Sequence, residues 1–268
     1  MKIFYLFFVL LIIFSGCSSK STNPVDKSIK TQTTEMTLAE EIEDDEFEEF
    51  AELSDEMEAE PVYDPLSGYN RVMTDINDKF YVYLLTPVAN GYKTIVHYEI
   101  RKSVSNFFHN IYYPIRLVNN LLQGKFKNAS EETGRFLVNT TIGIGGLFDP
   151  ASSEFQLQAH DEDFGQTLGF YGVGGGVHIV LPLLGPSNLR DAISLTPDAY
   201  LSPISTVPRD WCTLTDTTNE YLAVKTFEYI NKFSLEGQIY EDIKKDAVDL
   251  YPYLRDFYEQ RRKKQIEE

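Results

Sequence analysis

Apolar residues in positions 63–268 recur mainly at steps of three and four, the spacing that places side chains on one face of an α-helix. The clearest case covers residues 96–111 and stops before Pro114, which cannot continue the helical hydrogen-bond ladder. Its apolar positions are Val96, Ile100, Val104, Phe107, Phe108 and Ile111. No apolar stretch after residue 17 reaches the roughly 18 residues that a membrane-spanning helix requires. We therefore predict a mostly α body without spanning helices.

The same spacing predicts further helices on either side of a glycine-rich middle. Asn128 followed by Glu131 forms a capping-box-like start for a helix that runs toward Gly143. A later series covers residues 221–250 and leads to a basic tail at residues 261–264. These patterns extend the helical prediction to the end of the chain.

Glycine is concentrated between residues 143 and 185. This density favours bends and close backbone approach over a plain helical bundle. Gly172 and Gly174 repeat part of a dinucleotide-binding fingerprint, but no parallel βαβ pattern surrounds them. The sequence therefore predicts no nucleotide cofactor here.

The first residues have the form of a secretory signal peptide. Lys2 precedes an unbroken apolar run at residues 3–14, and small residues follow up to Cys17. A cysteine at this point resembles the bacterial lipobox, in which the cysteine is lipidated after cleavage, and Ser18 after it implies export to the outer membrane. The alternative is an ordinary signal peptide with an incidental cysteine. We expect Cys17 to be the lipidation site.

Acidic charge is concentrated in one segment, residues 35–60. The chain has a formal net charge of −17, and this segment holds 14 acidic residues and no Lys or Arg. Blocks of like charge usually stay extended, which predicts a flexible arm. The alternative is an amphipathic helix whose apolar stripe is Leu38, Ile42, Phe50, Leu53 and Met57.

Because no clustered basic face is present, we exclude a nucleic-acid-binding protein.

The sequence offers little for catalysis or metal binding. Cys212 has no partner within the chain once Cys17 is lipidated, and it is expected to be a packed apolar residue. The four histidines show no zinc spacing, and no G-x-S-x-G motif supplies a hydrolase nucleophile. Residues 160–163, His-Asp-Glu-Asp, favour a solvated turn over a divalent-cation site, because adjacent side chains rarely converge on one ion. We predict no catalytic residue, no metal, no cofactor and no enzymatic activity.

Several sequence motifs follow one another in a fixed order between residues 64 and 191. The motifs are Asp64-Pro65-Leu66-Ser67-Gly68-Tyr69-Asn70-Arg71 with Asn77; Asn120-Leu121-Leu122-Gln123-Gly124; Arg135-Phe136 with Asn139-Thr140-Thr141-Ile142-Gly143-Ile144-Gly145-Gly146 and Asp149; Phe164-Gly165-Gln166-Thr167-Leu168-Gly169 with Tyr171-Gly172-Val173-Gly174; and Leu181-Pro182 with Gly185-Pro186-Ser187 and Arg190-Asp191. Together with a closing helix at residues 253–262, they resemble the MlaA/VacJ family over residues 62–264. The acidic arm departs from the family pattern and inherits no role from it.

The resemblance implies a ring-like helical body in the plane of the outer membrane, embedded from the periplasmic side, with an amphipathic channel through its middle. It also implies transport, in which mislocalised glycerophospholipids leave the outer leaflet and pass to a periplasmic lipid carrier protein. A trimeric porin is the expected membrane partner. The implied organisation is a signal peptide at residues 1–16, a lipidated acidic arm at 17–62, the family domain at 63–264 and a tail at 265–268.

Two groups of residues are the candidate site. A phospholipid path needs apolar walls for acyl chains and polar groups for the head, and residues 164–184 supply both. The predicted channel-lining residues are Gln166, Leu168, Phe170, Tyr171, Val173, Gly174, Gly175, Gly176, Val177 and Ile179. The alternative is a glycine-rich loop that packs on the core.

The second group is the opening motif, Asp64, Pro65, Gly68, Asn70 and Arg71. It either fixes helices to one another or, as the family's hinge-like motif suggests, controls channel opening. Arg135, Arg190 and Asp191 are expected to form buried structural pairs, because a lone buried charge is costly. One of the two arginines meeting a lipid phosphate is the alternative.

Two other functions remain open from the sequence. One is a structural or surface lipoprotein whose acidic arm binds partners without lipid transfer. The other is a phospholipase, which the missing serine motif disfavours.

Overall fold

A computed structural model describes residues 63–206 and 214–268. The predicted signal peptide, Cys17, the acidic arm and Cys212 lie outside the described residues. Within them the chain is mostly helical, which confirms the predicted fold class. None of the described helices combines the length and the apolar character needed to cross a membrane.

The helices and strands follow one another with short connections. They are α1 (Ser67–Phe80), a π-helical turn (Tyr81–Leu85), α2 (Thr86–Ile95), α3 (Tyr98–Ile111), α4 (Tyr113–Leu122), α5 (Phe126–Thr141), α6 (Pro150–Ser153), α7 (Phe164–Phe170), β1 (His178–Leu181), β2 (Gly185–Asn188), α8 (Leu189–Leu201), α9 (Thr218–Asp246) and α10 (Leu250–Glu267).

The first three helical segments run on without a break. Pro87 lacks the N–H that would bond to the carbonyl four residues earlier, and the π-helical turn lies just before it. The extended backbone at Val96 then ends α2, so this residue lies outside the helix predicted over residues 96–111. The rest of that helix is confirmed as α3.

Two predicted helix boundaries are wrong. The helix α5 begins at Phe126, without a side-chain cap, and Asn128 lies inside it. The helical pattern through residues 221–250 is broken at Ala247, whose extended backbone separates α9 from α10. Lys244 and Lys245 in the last turn of α9 favour this break, because cations stabilise a helix C-terminus.

The glycine-rich middle contains an antiparallel hairpin that the periodicity did not predict. In β1 and β2, His178 faces Asn188 and Leu181 faces Gly185. The strands are only four residues long. β1 contains Ile179 and Val180, but β2 contains no β-branched residue that would have marked it as a strand. Leu183 in the connecting turn has a left-handed backbone, with φ of 64°.

Polar side chains fill much of the interior, and apolar side chains cover much of the surface. The buried apolar residues of the described part are Leu85, Ala89, Phe108, Ala129, Ala151, Val180, Ile204, Ile243 and Tyr251. Buried polar and charged residues outnumber them, and fully buried examples include Asn70, Asn119, Asn120 and Glu132. A water-soluble domain normally shows the reverse distribution. Large apolar residues are exposed along α1, α5, α8 and the segment after α7.

Candidate functional site

The predicted channel segment starts with the short helix α7. The Asp163 side chain caps this helix by accepting a hydrogen bond from the Gln166 N–H at 2.8 Å. The helix ends at Tyr171, and Gly172 follows with a positive φ of 83°. A residue with a Cβ would be strained there, which explains the glycine.

The structure places the predicted lining residues in three environments, buried, partly exposed and exposed. Gln166 is buried, and its Nε2 donates to the Asp161 carbonyl at 3.2 Å. Leu168, Val177 and Ile179 are partly exposed. The remaining apolar side chains are exposed, and they are Phe170, Tyr171 and Val173. The segment therefore presents aromatic and aliphatic groups beside exposed backbone at Gly174 and Gly176.

Neighbouring glycines in this segment differ in the space around them. A Cβ on Gly174 would meet no heavy atom within 4 Å, whereas a Cβ on Gly175 would lie 2.8 Å from the Asn188 amide. Asn188 caps α8 by accepting from the Asp191 N–H at 2.9 Å. Gly175 is therefore needed for packing, while Gly174 borders open space.

An ion network holds α7 against α8 and α10. Arg262 donates to Asp163 at 2.8 and 2.9 Å and to Asp191 at 3.0 and 3.1 Å. Arg190 donates to Asp191 at 2.8 Å, and the Tyr258 hydroxyl does so at 2.7 Å. Burial disfavours the charged carboxylate, but hydrogen bonds from Arg190 and Arg262 outweigh it and lower the pKa of Asp191.

The predicted pairing of Arg190 with Asp191 is confirmed, and Arg135 is likewise paired, with Asp149 at 2.7 Å. The position of Arg262 differs from the prediction, since the sequence pattern placed it in a basic tail. Arg262 is buried, which by itself would lower the pKa of its guanidinium, but hydrogen bonds to Asp163 and Asp191 and the charges of these carboxylates outweigh this desolvation and raise that pKa.

Asp198 on α8 faces the same end of α7. Its two oxygens accept from the Phe164 N–H at 3.2 Å, and Asn119 Nδ2 donates to it at 3.3 Å. Burial raises the pKa of Asp198 to about 6, and the nearby Asp163 charge contributes in the same direction. The start of α7 is therefore held by the capping carboxylate of Asp163 and by the carboxyl group of Asp198, whose pKa is raised.

A buried polar layer connects α4 with α7. Thr167 donates to Asn119 at 2.9 Å, and Gln123 donates to Glu162 at 2.6 Å. Lys125 closes the layer through an ion pair with Glu162 at 2.6 Å. Because its members donate to and accept from one another, the layer fixes the position of α7 against α4.

Residues 160–163 do not form the solvated turn predicted for them. Glu162 is buried against Gln123 and Lys125, and Asp163 both caps α7 and binds Arg262. His160 instead bonds to Glu131 at 2.6 Å. The side chains point to different partners, and no metal-binding group is found among the described residues.

The opening motif contacts the hairpin and α10. Asn70 Nδ2 donates to Asp64 at 3.1 Å and to the His178 carbonyl at 3.0 Å, while its Oδ1 accepts from the Val180 N–H at 2.8 Å. Tyr251 donates to Asp64 as well. The structure thus does not use Asp64 as a helix cap, since α1 begins at Ser67 without a side-chain cap. These contacts favour the role of fixing helices, and control of opening stays a prediction.

Asn77 makes the same kind of contact at the C-terminal end of β1. It donates to the Leu181 carbonyl at 2.9 Å and accepts from the Leu183 N–H at 2.7 Å. Tyr81 and Tyr229 both donate to the Leu183 carbonyl, at 3.2 and 3.1 Å. Two asparagine amides on α1 therefore occupy the outer edge of β1 in the way a neighbouring strand would.

Other members of the opening motif are less enclosed. Arg71 forms an exposed ion pair with Asp249 at 2.7 Å, and its guanidinium lies 5.3 Å from the centre of the Tyr251 ring. Pro65 lies in the turn before α1 and Gly68 in its first turn, and a Cβ on Gly68 would meet nothing within 4 Å.

One group of site residues was missed by the sequence analysis. Tyr251, Arg255, Tyr258 and Arg262 lie on one face of α10 and bond to Asp64, Asp256 and Asp191. Their spacing of four, three and four residues is helical, but the face is polar and aromatic. A search for apolar stripes alone therefore does not find this face of α10.

The described geometry is that of a polar-cored helical body, and sequence comparison gives its family. A family model of the MlaA lipoprotein matches residues 62–265. The chain belongs to the MlaA lipoprotein family. The resemblance drawn from the sequence motifs is thereby confirmed.

Relatives from several bacteria support the MlaA assignment. An uncharacterized protein of Rickettsia bellii is 33% identical over 207 residues, which cover 77% of this chain and 78% of that protein. The intermembrane phospholipid transport system lipoprotein MlaA of Escherichia coli is 39% identical over 131 residues, or 48% of this chain and 52% of that protein. The lipoprotein of the same name from Haemophilus influenzae is 34% identical over 143 residues, or 52% of this chain and 57% of that protein. The matches thus span about half the length of the named transport lipoproteins.

A solved structure shares the fold. It comes from work on the structural basis for maintenance of bacterial outer membrane lipid asymmetry, and it superposes with a TM-score of 0.61 at 29% identity. The match covers 76% of this chain and 99% of the solved chain. The MlaA fold therefore extends over most of the residues described here.

Proposed function

We propose that this protein is an outer-membrane phospholipid-transport lipoprotein. It is anchored through Cys17 and embedded from the periplasmic side. It takes mislocalised glycerophospholipid from the outer leaflet and releases it to a periplasmic carrier protein. A trimeric porin is its membrane partner, as the family resemblance implies. The observation that carries the proposal is the exposed apolar surface around a polar interior.

The distribution of apolar residues suits a body that lies in a bilayer. Amphipathic helices in the interface bury an apolar face among acyl chains and need no spanning length. The described helices are too short or too polar to span, yet α1 alone exposes Tyr69, Val72 and Ile76 on successive turns. In water such a surface would favour aggregation, whereas in the leaflet it is stabilising.

The segment at residues 164–184 supplies the chemistry of a lipid path. Phe170, Tyr171 and Val173 offer apolar contact for acyl chains, and the backbone at Gly174 and Gly176 remains open. The polar layer behind α7 is internally bonded, so it holds the segment in place without competing for the lipid head. Transfer by this segment requires no covalent chemistry, in keeping with a transport component rather than an enzyme.

The test is outer-leaflet phospholipid exposure in cells that lack the gene. The cells are complemented with wild type, with Cys17→Ala, with Gly174→Trp and with Gly91→Trp. Gly174→Trp places a large side chain beside the segment at a position where a Cβ would meet no heavy atom within 4 Å. Gly91→Trp is the matched control, because Gly91 on α2 is also exposed with nothing within 4 Å.

Wild type and Gly91→Trp are expected to restore the barrier, while Cys17→Ala and Gly174→Trp leave phospholipid exposed. If gene loss does not change exposure, the transport proposal is wrong and a structural lipoprotein becomes the better account. If Gly174→Trp restores the barrier as fully as Gly91→Trp does, the segment does not form the path.

A further inference from the structure

Asp161, in the segment between α6 and α7, is an exposed carboxylate with charged neighbours from other elements. Its side chain is 69% exposed. His109 on α3 lies 3.0 Å from Asp161 Oδ1, and Arg116 Nε on α4 lies 3.5 Å from the same oxygen. Two helices thus approach this carboxylate while water still reaches it.

The pKa of Asp161 shows how far the protein encloses this carboxylate. Desolvation by the surrounding protein is the largest influence and would raise the pKa. The hydrogen bond from His109 and the charge interactions with His109, Arg116 and Lys232 outweigh desolvation and lower the pKa to about 2. A carboxylate that is desolvated by protein and yet open to water lies in a recess rather than on an outer surface. In this recess Asp161 is ionised at neutral pH.

Lys232 on α9 supplies a cation to the same recess. Its charge acts to lower the pKa values of both Asp161 and Tyr229, so the ammonium group lies near both side chains. The Lys232 side chain is 65% exposed and pairs with Glu236, one turn further along α9, at 3.5 Å. An exposed pair of this kind contributes little to stability, so Lys232 can bind a second anion.

The charge of Asp161 is only partly compensated within the protein. Arg116 lies closer to another carboxylate, since its Nε is 2.7 Å from Glu132. An ionised carboxylate only accepts hydrogen bonds, so His109 Nε2 carries the proton and donates to Oδ1. A carboxylate has about four acceptor positions, and the exposed ones on Asp161 are open to a donor from outside the protein.

The recess borders residues 164–184 near both ends of that segment. Near the start, the Asp161 carbonyl accepts from Gln166 Nε2 at 3.2 Å. Near the end, Tyr229, which lies close to Lys232, donates to the Leu183 carbonyl at 3.1 Å. A polar headgroup in the recess would therefore lie beside the segment proposed as the lipid path.

We infer that Asp161 and Lys232 bind the phosphoethanolamine headgroup of the transported lipid. The ammonium group donates to Asp161 and the phosphate pairs with Lys232, so one headgroup compensates both charges. The inference rests on the proposed function and adds headgroup selection to it. Phosphatidylglycerol offers hydroxyl groups in place of the ammonium, and these lack the attraction of opposite charges to Asp161. The site therefore favours phosphatidylethanolamine over phosphatidylglycerol.

The test measures lipid binding without transfer. The full-length protein in detergent is mixed with equal amounts of phosphatidylethanolamine and phosphatidylglycerol that have the same acyl chains, and the bound lipids are counted by native mass spectrometry. The variants are Asp161→Asn, Asp161→Glu and Lys232→Gln. Asp75→Asn and Lys79→Gln are the matched controls, because both residues are exposed on α1.

Wild type, Asp161→Glu and both controls are expected to bind several-fold more phosphatidylethanolamine than phosphatidylglycerol. Asp161→Asn should bind the two lipids about equally, and Lys232→Gln should bind less of both, since each lipid has a phosphate. Equal binding by wild type, or a preference that survives in Asp161→Asn, overturns the role of Asp161, and wild-type amounts in Lys232→Gln overturn that of Lys232. Selective binding by a protein that fails to restore the barrier in cells would refute transport alone, so the two failures are distinguishable.

Discussion

Replacing Asn70 by aspartate tests whether the opening motif fixes the hairpin through an amide rather than a carboxylate. Asn70 is fully buried, and its Oδ1 would remain as an acceptor for the Val180 N–H in the variant. Its Nδ2 would become an oxygen facing the His178 carbonyl and the Asp64 carboxylate, now at 3.0 and 3.1 Å from the amide. Asn70→Asp thus converts two donated bonds into two repulsive contacts with almost no change in shape.

The magnitude follows from these contacts. A hydrogen bond to a charged group contributes about 1.5–3 kcal/mol, and a neutral bond contributes about 0.5–1.5 kcal/mol. Burial and the neighbouring carboxylate should raise the pKa of the new carboxyl group by about 2–3 units, at about 1.4 kcal/mol per unit. We expect Asn70→Asp to lower the free energy of unfolding by about 4 kcal/mol at pH 7. Protonation restores one donor, so the loss should shrink to about 1 kcal/mol near pH 4.

The sign of the pH effect is fixed by the raised pKa. The folded variant holds its proton more tightly than the unfolded chain, so its stability relative to wild type rises as pH falls from about 7 to about 4. The assay is urea unfolding in detergent, followed by circular dichroism at both pH values. Asn90→Asp is the control, because Asn90 is exposed on α2 and should change stability by less than about 0.5 kcal/mol. A pH-independent loss, or equal effects at the two asparagines, would refute the reasoning.

Three further predictions concern α7 and its surroundings. The pKa of Asp198 is raised to about 6, so wild type loses stability as pH rises from about 4 to 6. Asp198→Asn should therefore have a free energy of unfolding about 1–2 kcal/mol above that of wild type at pH 7.5. At pH 4 urea unfolding should show no difference between the two proteins. A variant less stable than wild type at pH 7.5 would contradict this. Arg262→Met leaves Asp163 and Asp191 without their shared partner and should lower the free energy of unfolding by about 3–5 kcal/mol. The control Lys263→Met, at an exposed position, should change it by less than about 0.5 kcal/mol. Similar denaturation midpoints for the two variants would argue against the network. Gly175→Trp should lower the melting temperature by displacing Asn188, while Gly174→Trp should melt like wild type. Equal melting temperatures for the two variants would show that the contact between Gly175 and Asn188 is unimportant.

The helices were predictable where a single apolar stripe decides the structure. The helix α3 follows from its stripe, and only Val96 falls outside it. The α9–α10 break was not predictable in the same way, because the apolar spacing continues across Ala247. The helix ends at the extended backbone of Ala247, a position that the apolar pattern does not mark.

The candidate site was harder to predict because its contacts are polar and distant in sequence. Asn70 and Asn77 replace a neighbouring strand along β1, and the strand itself is only four residues long, too short for a clear alternating pattern. Arg262 resembled part of a basic tail, since its neighbours in sequence are cations, yet its partners are Asp163 and Asp191. Such networks depend on which helices meet, and single-segment periodicity does not contain that information.

The central claim is that phospholipid moves along residues 164–184, and lipid movement in vesicles tests it most directly. The full lipidated protein is inserted into vesicles from outside, with fluorescent phosphatidylethanolamine confined to the inner leaflet, and lipid reaching external albumin is measured. Wild type and Gly91→Trp should release labelled lipid at similar rates, while Gly174→Trp releases it several-fold more slowly. Equal release by Gly174→Trp and wild type, or no release above protein-free vesicles, would contradict the account.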